Sequence, residues 1–389
     1  MLPDLTEALQ RRKQENLYRT RPILEGPQAP HITIDGQNFL AFCSNDYLGL
    51  ANHPALIAAA TEGAQRYGVG AGASHLISGH SRAHHALEIA LADYVGLARA
   101  LLFSTGYMAN MAVVTALVGR EDTIFADRLN HASLNDAALL SRARFLRYPH
   151  LDLAALEKQL KTTQTRRKLV ITDAVFSMDG DQAPIADLLA LCQRFDAWLL
   201  LDDAHGFGVL DAQGRGSLYA HQEVDRTAPH LIYMATLGKA AGVSGAFVAA
   251  SASVIETLIQ HGRTYGYTTA AAPLLAHTLL TSLQLIKQDS WRREHLKQLI
   301  TQLRQALQSL PWQLLPSNTP IQPLLVGENQ QTMQLDQALR ARGIWVPAIR
   351  PPTVPRGMAR LRISLSAAHT EADVTQLSAA LHELAGVLA

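Results

Sequence analysis

The stretch from Trp198 to Gly245 sets the strongest constraint on how this chain folds, because it holds two apolar runs that each end in reactive side chains. The run Trp198 to Leu201 has the continuous hydrophobicity of a strand covered on both faces and stops at Asp202-Asp203-Ala204-His205-Gly206. The run Leu231 to Ala235 stops at Thr236-Leu237-Gly238-Lys239, followed by small residues. Between them, Gly206 to His230 is long enough to return the chain to the same edge of a sheet. Parallel strands leave their carboxyl ends side by side, where ligands of α/β proteins bind. The expected architecture is α/β: a mostly parallel central sheet flanked by helices, with acid, imidazole, hydroxyl and amine along one edge.

Taken singly, Asp-Asp-Ala-His reads equally well as a turn or a helix cap, and one lysine after a strand as a solvated charge. Gathered on one edge they are what a pyridoxal phosphate site requires. The Lys239 amine condenses with the cofactor's aldehyde, an acid of the Asp202-Asp203 pair keeps the pyridine nitrogen protonated, and the Thr236 hydroxyl meets the phosphate.

The rest of the chain supplies further candidates. Ala100 to Phe103 reads as the first strand of the main domain and ends at Ser104-Thr105-Gly106-Tyr107, with a helix expected from Met108 to Leu117. Free N–H groups and the positive end of a helix dipole make Gly106 and Tyr107 a phosphate cradle, although an ordinary strand-to-helix turn has the same local signature. Thr123 to Ala126 is a strand that leads to His131, placed to stack on a planar ring or merely to cap a helix. Leu169 to Thr172 is another, with Ser177 in the loop beyond it, and Gly245 to Ala250 one more. The run Gly68 to Ser74 is glycine-rich but lacks the spacing of a nucleotide loop.

Residues 4 to 17 have helical spacing and read as an arm, Ile32 to Phe42 as a hairpin turning at Asp35-Gly36, and Pro54 to Tyr67 and Ser81 to Val95 as helices. The polar cluster from Cys43 to Gly49 either caps the Pro54 helix or forms a site wall. A long amphipathic helix is expected from about Leu275 to Leu310, linking two domains. Strands at Leu324 to Val326, Ile344 to Val346 and Ala359 to Ser364 belong to a small α+β domain, with Arg350 to Pro355 held extended by its prolines. The expected division is an arm at 1–45 packing with the small domain, a cofactor-binding domain at 46–285 and a small domain at 286–389.

A chain of 389 residues, 48% of them hydrophobic, can bury a sizeable core. The 34 basic and 33 acidic residues leave a net charge of +1, so the totals argue for neither nucleic acid nor an anionic membrane as partner. Cys43 and Cys192 are too few for a disulfide framework or a cysteine-based zinc site, the sixteen histidines show no HExxH pair, and no apolar window suits a signal or a membrane span. A cytoplasmic protein is expected.

Nearly the whole chain resembles the α-oxoamine synthases, pyridoxal phosphate enzymes of fold type I. The runs that carry the resemblance are SNDYLGL (44–50), LLFSTGYMAN (101–110), ADRLNHASL (126–134), VFSMDGD (175–181), LDDAHGFGVLDAQGRG (201–216), TLGKAAGVSGA (236–246) and IRPPTVPRGMARLRISLSAAH (349–369). The last points to the branch that serves biotin synthesis. The resemblance implies that Lys239 carries the cofactor, Asp202 pairs with the pyridine nitrogen, His205 lies at the ring hydroxyl and His131 on the ring face against substrate. It places Ser177, Thr236, Gly106 and Tyr107 around the cofactor. It assigns Arg362 to a substrate carboxylate, Thr353 to the acyl substrate, and Arg19, with Arg21 as fallback, to substrate binding from the arm. It further implies a homodimer, with Thr268 and Thr269 reaching a phosphate across the boundary, and L-alanine with a pimeloyl thioester on acyl carrier protein or coenzyme A as substrates. Glycine C-acetyltransferase and a non-catalytic partner subunit are the alternatives. One departure is Ala240-Ala241 after the lysine, where relatives often place a glycine.

Overall fold

The computed structural model describes residues 5–15, 17–220 and 224–388. Two compact units emerge. One holds the chain up to Tyr47, Met178–Gly180 and everything from Glu294 on; the other holds Leu48–Ser177 and Asp181–Arg293.

The larger unit is built on a seven-stranded sheet in the spatial order Arg99–Phe103, Ala246–Ala250, Leu231–Thr236, Ala197–Asp202, Lys168–Asp173, Thr123–Asp127, Arg144–Tyr148. All pairs are parallel except those made by Ala246–Ala250, which runs against both its neighbours. The central strands are mainly apolar up to their carboxyl ends, as expected where helices cover both faces of such a sheet. Ile171, Leu200, Ile232 and Val248 pack with Val113 of helix Gly106–Leu117 and Ile255 of helix Ala252–His261 in one buried cluster. Register is the feature that matters for function: Asp173 lies opposite Asp202, and Asp202 opposite Met234, two residues before Thr236.

Local chemistry sets the helix ends. Pro54–Tyr67 is capped by His53, whose Nδ1 accepts from Ala55 N at 3.2 Å, so the polar cluster at 43–49 is not its cap. Ser81 caps Arg82–Val95, and His84 returns the bond to the Ser81 N–H in a reciprocal box. Just before it, His75–Gly79 forms a π-helical turn that the sequence pattern does not announce. A Cβ at Gly79 would stand 2.1 Å from the Ala73 carbonyl oxygen, so only glycine closes that turn.

The smaller unit holds a four-stranded sheet, ordered Gln313–Leu314, Ile321–Gly327, Ala359–Ser364, Ala348–Ile349. The hairpin His31–Ile34 and Gln37–Ala41 turns at Asp35 and Gly36, both at positive φ, as expected. Ile344–Trp345 joins that hairpin rather than the four-stranded sheet. The arm is helical over Leu5–Gln14 with no buried residue; residues 4 and 16 of the expected helix lie outside the described residues, and Leu17 lies beyond its end.

Two expectations are corrected. The single helix from about Leu275 to Leu310 is two, Pro273–Gln288 and Ser290–Ala306. Asp289 leaves the helical conformation at ψ 58° and turns its carboxylate to Arg292 Nε at 3.0 Å, a local bond that competes with helix continuation. Arg350 to Pro355 is a turn, not an extended segment, because Thr353 N donates back to the Arg350 carbonyl at 3.1 Å.

Candidate active site

The carboxyl ends of the central strands bring the expected groups together. Ala197–Asp202 ends in Asp202, which is buried; its Oδ2 accepts from Asn110 Nδ2 at 2.8 Å and its Oδ1 from Ala204 N at 3.1 Å. Leu231–Thr236 and Ala246–Ala250 are antiparallel neighbours, and the tight connection between them carries Lys239. That connection is closed by Leu237 N to Gly245 O at 2.8 Å and Gly242 N to Lys239 O at 2.8 Å. Ala240 and Ala241 are buried, and the close approach falls instead on Gly242, where a Cβ would meet Leu50 and Ala51 backbone at 2.7 Å. Lys239 Nζ is thereby held 3.0 Å from Nε2 of the buried His205.

The helix that begins at Gly106 points its amino end at the same edge. Thr105 caps it by accepting from Met108 N at 3.1 Å. A Cβ on Gly106 would stand 2.7 Å from Thr236 Cγ2, so these two candidates are neighbours, and Thr236 Oγ1 donates to Ala204 O at 3.3 Å. Tyr107 is half-exposed and donates its hydroxyl to Asp136, which raises its pKa. His131 caps helix Ala132–Ser141 with its ring exposed, its Nδ1 2.8 Å from Ser133 Oγ and its backbone N–H given to Asp173 Oδ2 at 2.6 Å. Ser133 Oγ in turn accepts from Asn110, so His131 and Asp202 are joined through one short network. Ser177 is half-buried in the turn that Phe176 N closes on Asp181 O at 3.0 Å.

The remaining candidates belong to the smaller unit. Arg362, buried on strand Ala359–Ser364, donates through Nη1 and Nη2 to Asn45 Oδ1, both at 3.2 Å, and through Nη1 to Ser364 Oγ at 2.7 Å. Asn45 Oδ1 also accepts from Tyr47 Oη at 3.1 Å, so the polar cluster that could have been a cap holds this arginine instead. Arg360, two residues away, is tied to Asp179 and the Met178 carbonyl. Arg19 Nη2 donates to Thr353 Oγ1 at 3.1 Å, joining the arm to the Pro-rich turn, and Arg21 lines a neighbouring surface. A cleft of about 560 Å³ opens beside this pair, with Arg350 and Asp336 in its wall. Burial lowers the Arg350 pKa below the usual guanidinium range, against the attraction of Asp336 and with the repulsion of Arg19.

Five residues of the edge escaped the sequence reading. Asn110 is the one amide in an otherwise apolar helical run, which is a usable signal. Asp173 had none, because its role depends on register: burial first, then the Asp202 charge, raises its pKa well above the carboxylate range. Asp203, the second acid of the pair, accepts from Ser217 Oγ, Ser217 N and Tyr233 Oη at 2.5 to 2.7 Å, and burial pushes it up to about 6 against those bonds. Ser217 and Tyr233 had no signal of their own. Among the described residues two histidine-containing clusters, His75 with His80 and His84, and His80 with His85 and Glu88, fall on the π-helical turn, helix Arg82–Val95 and the residues joining them.

An amine at a strand connection, a buried acid on the next strand end, an imidazole beside the amine, and a helix amino end where any side chain would crowd the edge all fit pyridoxal phosphate. Fold and edge together define a pyridoxal phosphate-dependent transferase of fold type I. A family model for class I and II aminotransferases matches residues 37–381. The 8-amino-7-oxononanoate synthase of Nitrosomonas eutropha is 82% identical over 386 residues, covering 99% of this chain and 100% of that one. Its counterpart from Nitrosomonas europaea is 78% identical at the same coverage of 99% and 100%. Among solved structures, a serine palmitoyltransferase from S. paucimobilis with pyridoxal phosphate and myriocin bound aligns with a TM-score of 0.91 at 27% identity, covering 98% of both chains. An 8-amino-7-oxononanoate synthase from Francisella tularensis aligns with a TM-score of 0.76 at 30% identity, over 89% of this chain and 98% of that one. The chain belongs to the class I and II aminotransferase family and, within it, to the 8-amino-7-oxononanoate synthases.

The crowding at Gly106 gives a direct prediction. Gly106→Ala lowers pyridoxal phosphate affinity by about tenfold, because the new methyl displaces Thr236. Adding Thr236→Ser, which deletes the crowded Cγ2, recovers most of that loss; titration of cofactor-free protein followed by absorbance checks both.

Proposed function

We propose that the enzyme joins L-alanine to a pimeloyl thioester, carried on acyl carrier protein or coenzyme A, releasing carbon dioxide and the thiol and giving 8-amino-7-oxononanoate. The single observation that carries the reading is the placement of Lys239 Nζ 3.0 Å from His205 on the edge that also holds Asp202, in a chain so similar to these synthases.

Bound pyridoxal phosphate supplies an electron sink for the α-carbon of the amino acid. Around it, Lys239 Nζ anchors the cofactor and then takes the alanine α-proton. Asp202 holds a proton on the pyridine nitrogen, since a nearby carboxylate favours the charged form. His205 Nε2, beside Lys239, serves the ring hydroxyl, and His131, exposed at its helix start, covers the ring face. Thr236, Ser177 and the Gly106–Tyr107 helix start bind the phosphate end and flank of the cofactor. Arg362 pairs with the alanine carboxylate through two parallel bonds, an arrangement for which Asn45 has already fixed the guanidinium plane. Arg19 and Thr353 meet the acyl substrate, and the cleft they border, with Arg350 in its wall, suits a chain that ends in a carboxylate.

The working form we infer is a homodimer. Support comes from exposed apolar side chains that neighbour one another, Leu76 and Ile77 of the π-helical turn and Tyr267, since Leu76 Cδ1 lies 3.4 Å from a Cβ placed at Gly266. Thr268 and Thr269 follow directly on this patch, as a phosphate contact across the boundary would require. A cytoplasmic location fits two free thiols, both with pKa raised by burial, Cys43 to about 11. Among the described residues no helix is long and apolar enough to cross a membrane.

Two outcomes test the reading. Alanine with a pimeloyl thioester yields 8-amino-7-oxononanoate by mass, whereas turnover of glycine with an acetyl thioester alone overturns the substrate assignment. Asp202→Asn, which keeps the shape and the Asn110 contact, slows exchange of the alanine α-proton with D2O by roughly a hundredfold or more, the scale of one lost electrostatic contact to the reacting charge. Unchanged exchange removes Asp202 from its role.

A further inference from the structure

The carboxyl edge carries one more charged group that none of these roles uses. His150 follows the edge strand Arg144–Tyr148, with Nδ1 2.9 Å from Asp127 Oδ1 and Nε2 2.7 Å from Asp181 Oδ2. Its ring stands edge-on to Phe176, 4.4 Å between centroids and 87° between planes. A ring with a carboxylate at each nitrogen donates from both and is an imidazolium. Burial opposes that charge, but the two carboxylates outweigh it and push the His150 pKa up to about 10.

What this clamp joins is more informative than the clamp itself. Asp127 ends strand Thr123–Asp127; its Oδ1 also accepts from Leu129 N and its Oδ2 from Leu151 N, both at 2.8 Å, and its carbonyl accepts from Asn130 N at 3.3 Å. It thus shapes the turn from which His131 follows. Asp181 closes the turn that presents Ser177, through Phe176 N to its carbonyl and the bridge between Val175 and Gln182. Asp181 Oδ1 is buried without a hydrogen-bond partner, so the contact of that carboxylate to the strand-end network runs through His150.

We propose that His150 is a positioning residue for this enzyme, holding the turn that presents Ser177 against the strand end that presents His131, so that both side chains reach the cofactor together. The inference rests on the reading above, in which Ser177 and His131 contact pyridoxal phosphate. It assigns a role to a side chain that touches neither cofactor nor substrate.

A double-mutant cycle separates positioning from general support, because residues that act through one another are not additive while independent losses are. Cofactor-free wild type, His150→Gln, Ser177→Ala and the double variant are each titrated with pyridoxal phosphate. Ser177→Ala weakens binding on its own. His150→Gln weakens it by about tenfold in the wild-type background but by less than about threefold once Ser177 is gone. Equal factors in both backgrounds, or no effect of His150→Gln, overturn the positioning role and leave the site reading intact. A silent Ser177→Ala overturns the contact assigned to Ser177, and the positioning role with it. Should His150→Gln not yield folded protein, Asp181→Asn loosens the same clamp from its more exposed end and runs the same cycle with the same outcomes.

Discussion

A buried carboxylate in want of a cation is the constraint from which the rest of this structure follows. Asp202 sits at the end of a strand whose other residues are packed in an apolar core, and its hydrogen-bond partners, the Asn110 amide and the Ala204 N–H, are neutral donors. Burying an ionised acid on neutral donors alone is costly, and a cationic ring nitrogen would offset that cost. Asp173, opposite it in register, intensifies the demand, because two acids side by side resist joint ionisation.

Placement of the remaining groups is a consequence of sheet topology. Parallel strands deliver Asp127, Asp173 and Asp202 to a common edge. The single antiparallel strand, Ala246–Ala250, makes the connection before it short, so Lys239 cannot wander from that edge. The smaller unit contributes a different kind of preorganisation. There Asn45, held by Tyr47, takes both guanidinium nitrogens of Arg362, fixing the plane of the fork that is proposed to meet a carboxylate.

The parts legible in the sequence are those fixed by local pattern. Continuous apolar runs that end abruptly in Asp202 and Thr236 are strands with polar tips, and Asp35-Gly36 between alternating residues is a hairpin. Contacts set by register or by a competing side chain left no such trace. Asp173 gains its role only from lying opposite Asp202, and the Asn45 to Arg362 contact spans most of the chain. A helical period persists from Leu275 to Leu310, yet Asp289 breaks it with a bond to Arg292. Prolines at 351, 352 and 355 read as extended, while the Thr353 N–H folds that segment into a turn. The His150 clamp was invisible for the same reason, since one of its two acids ends a strand and the other lies in a turn more than fifty residues later in the chain.

The most direct test of the convergence of these groups on one cofactor is chemical. Reduction of the pyridoxal phosphate-loaded protein with borohydride, followed by digestion and mass mapping, should fix the cofactor to a single peptide, the one containing Lys239. Label on any other lysine, or none retained after reduction, would contradict the account.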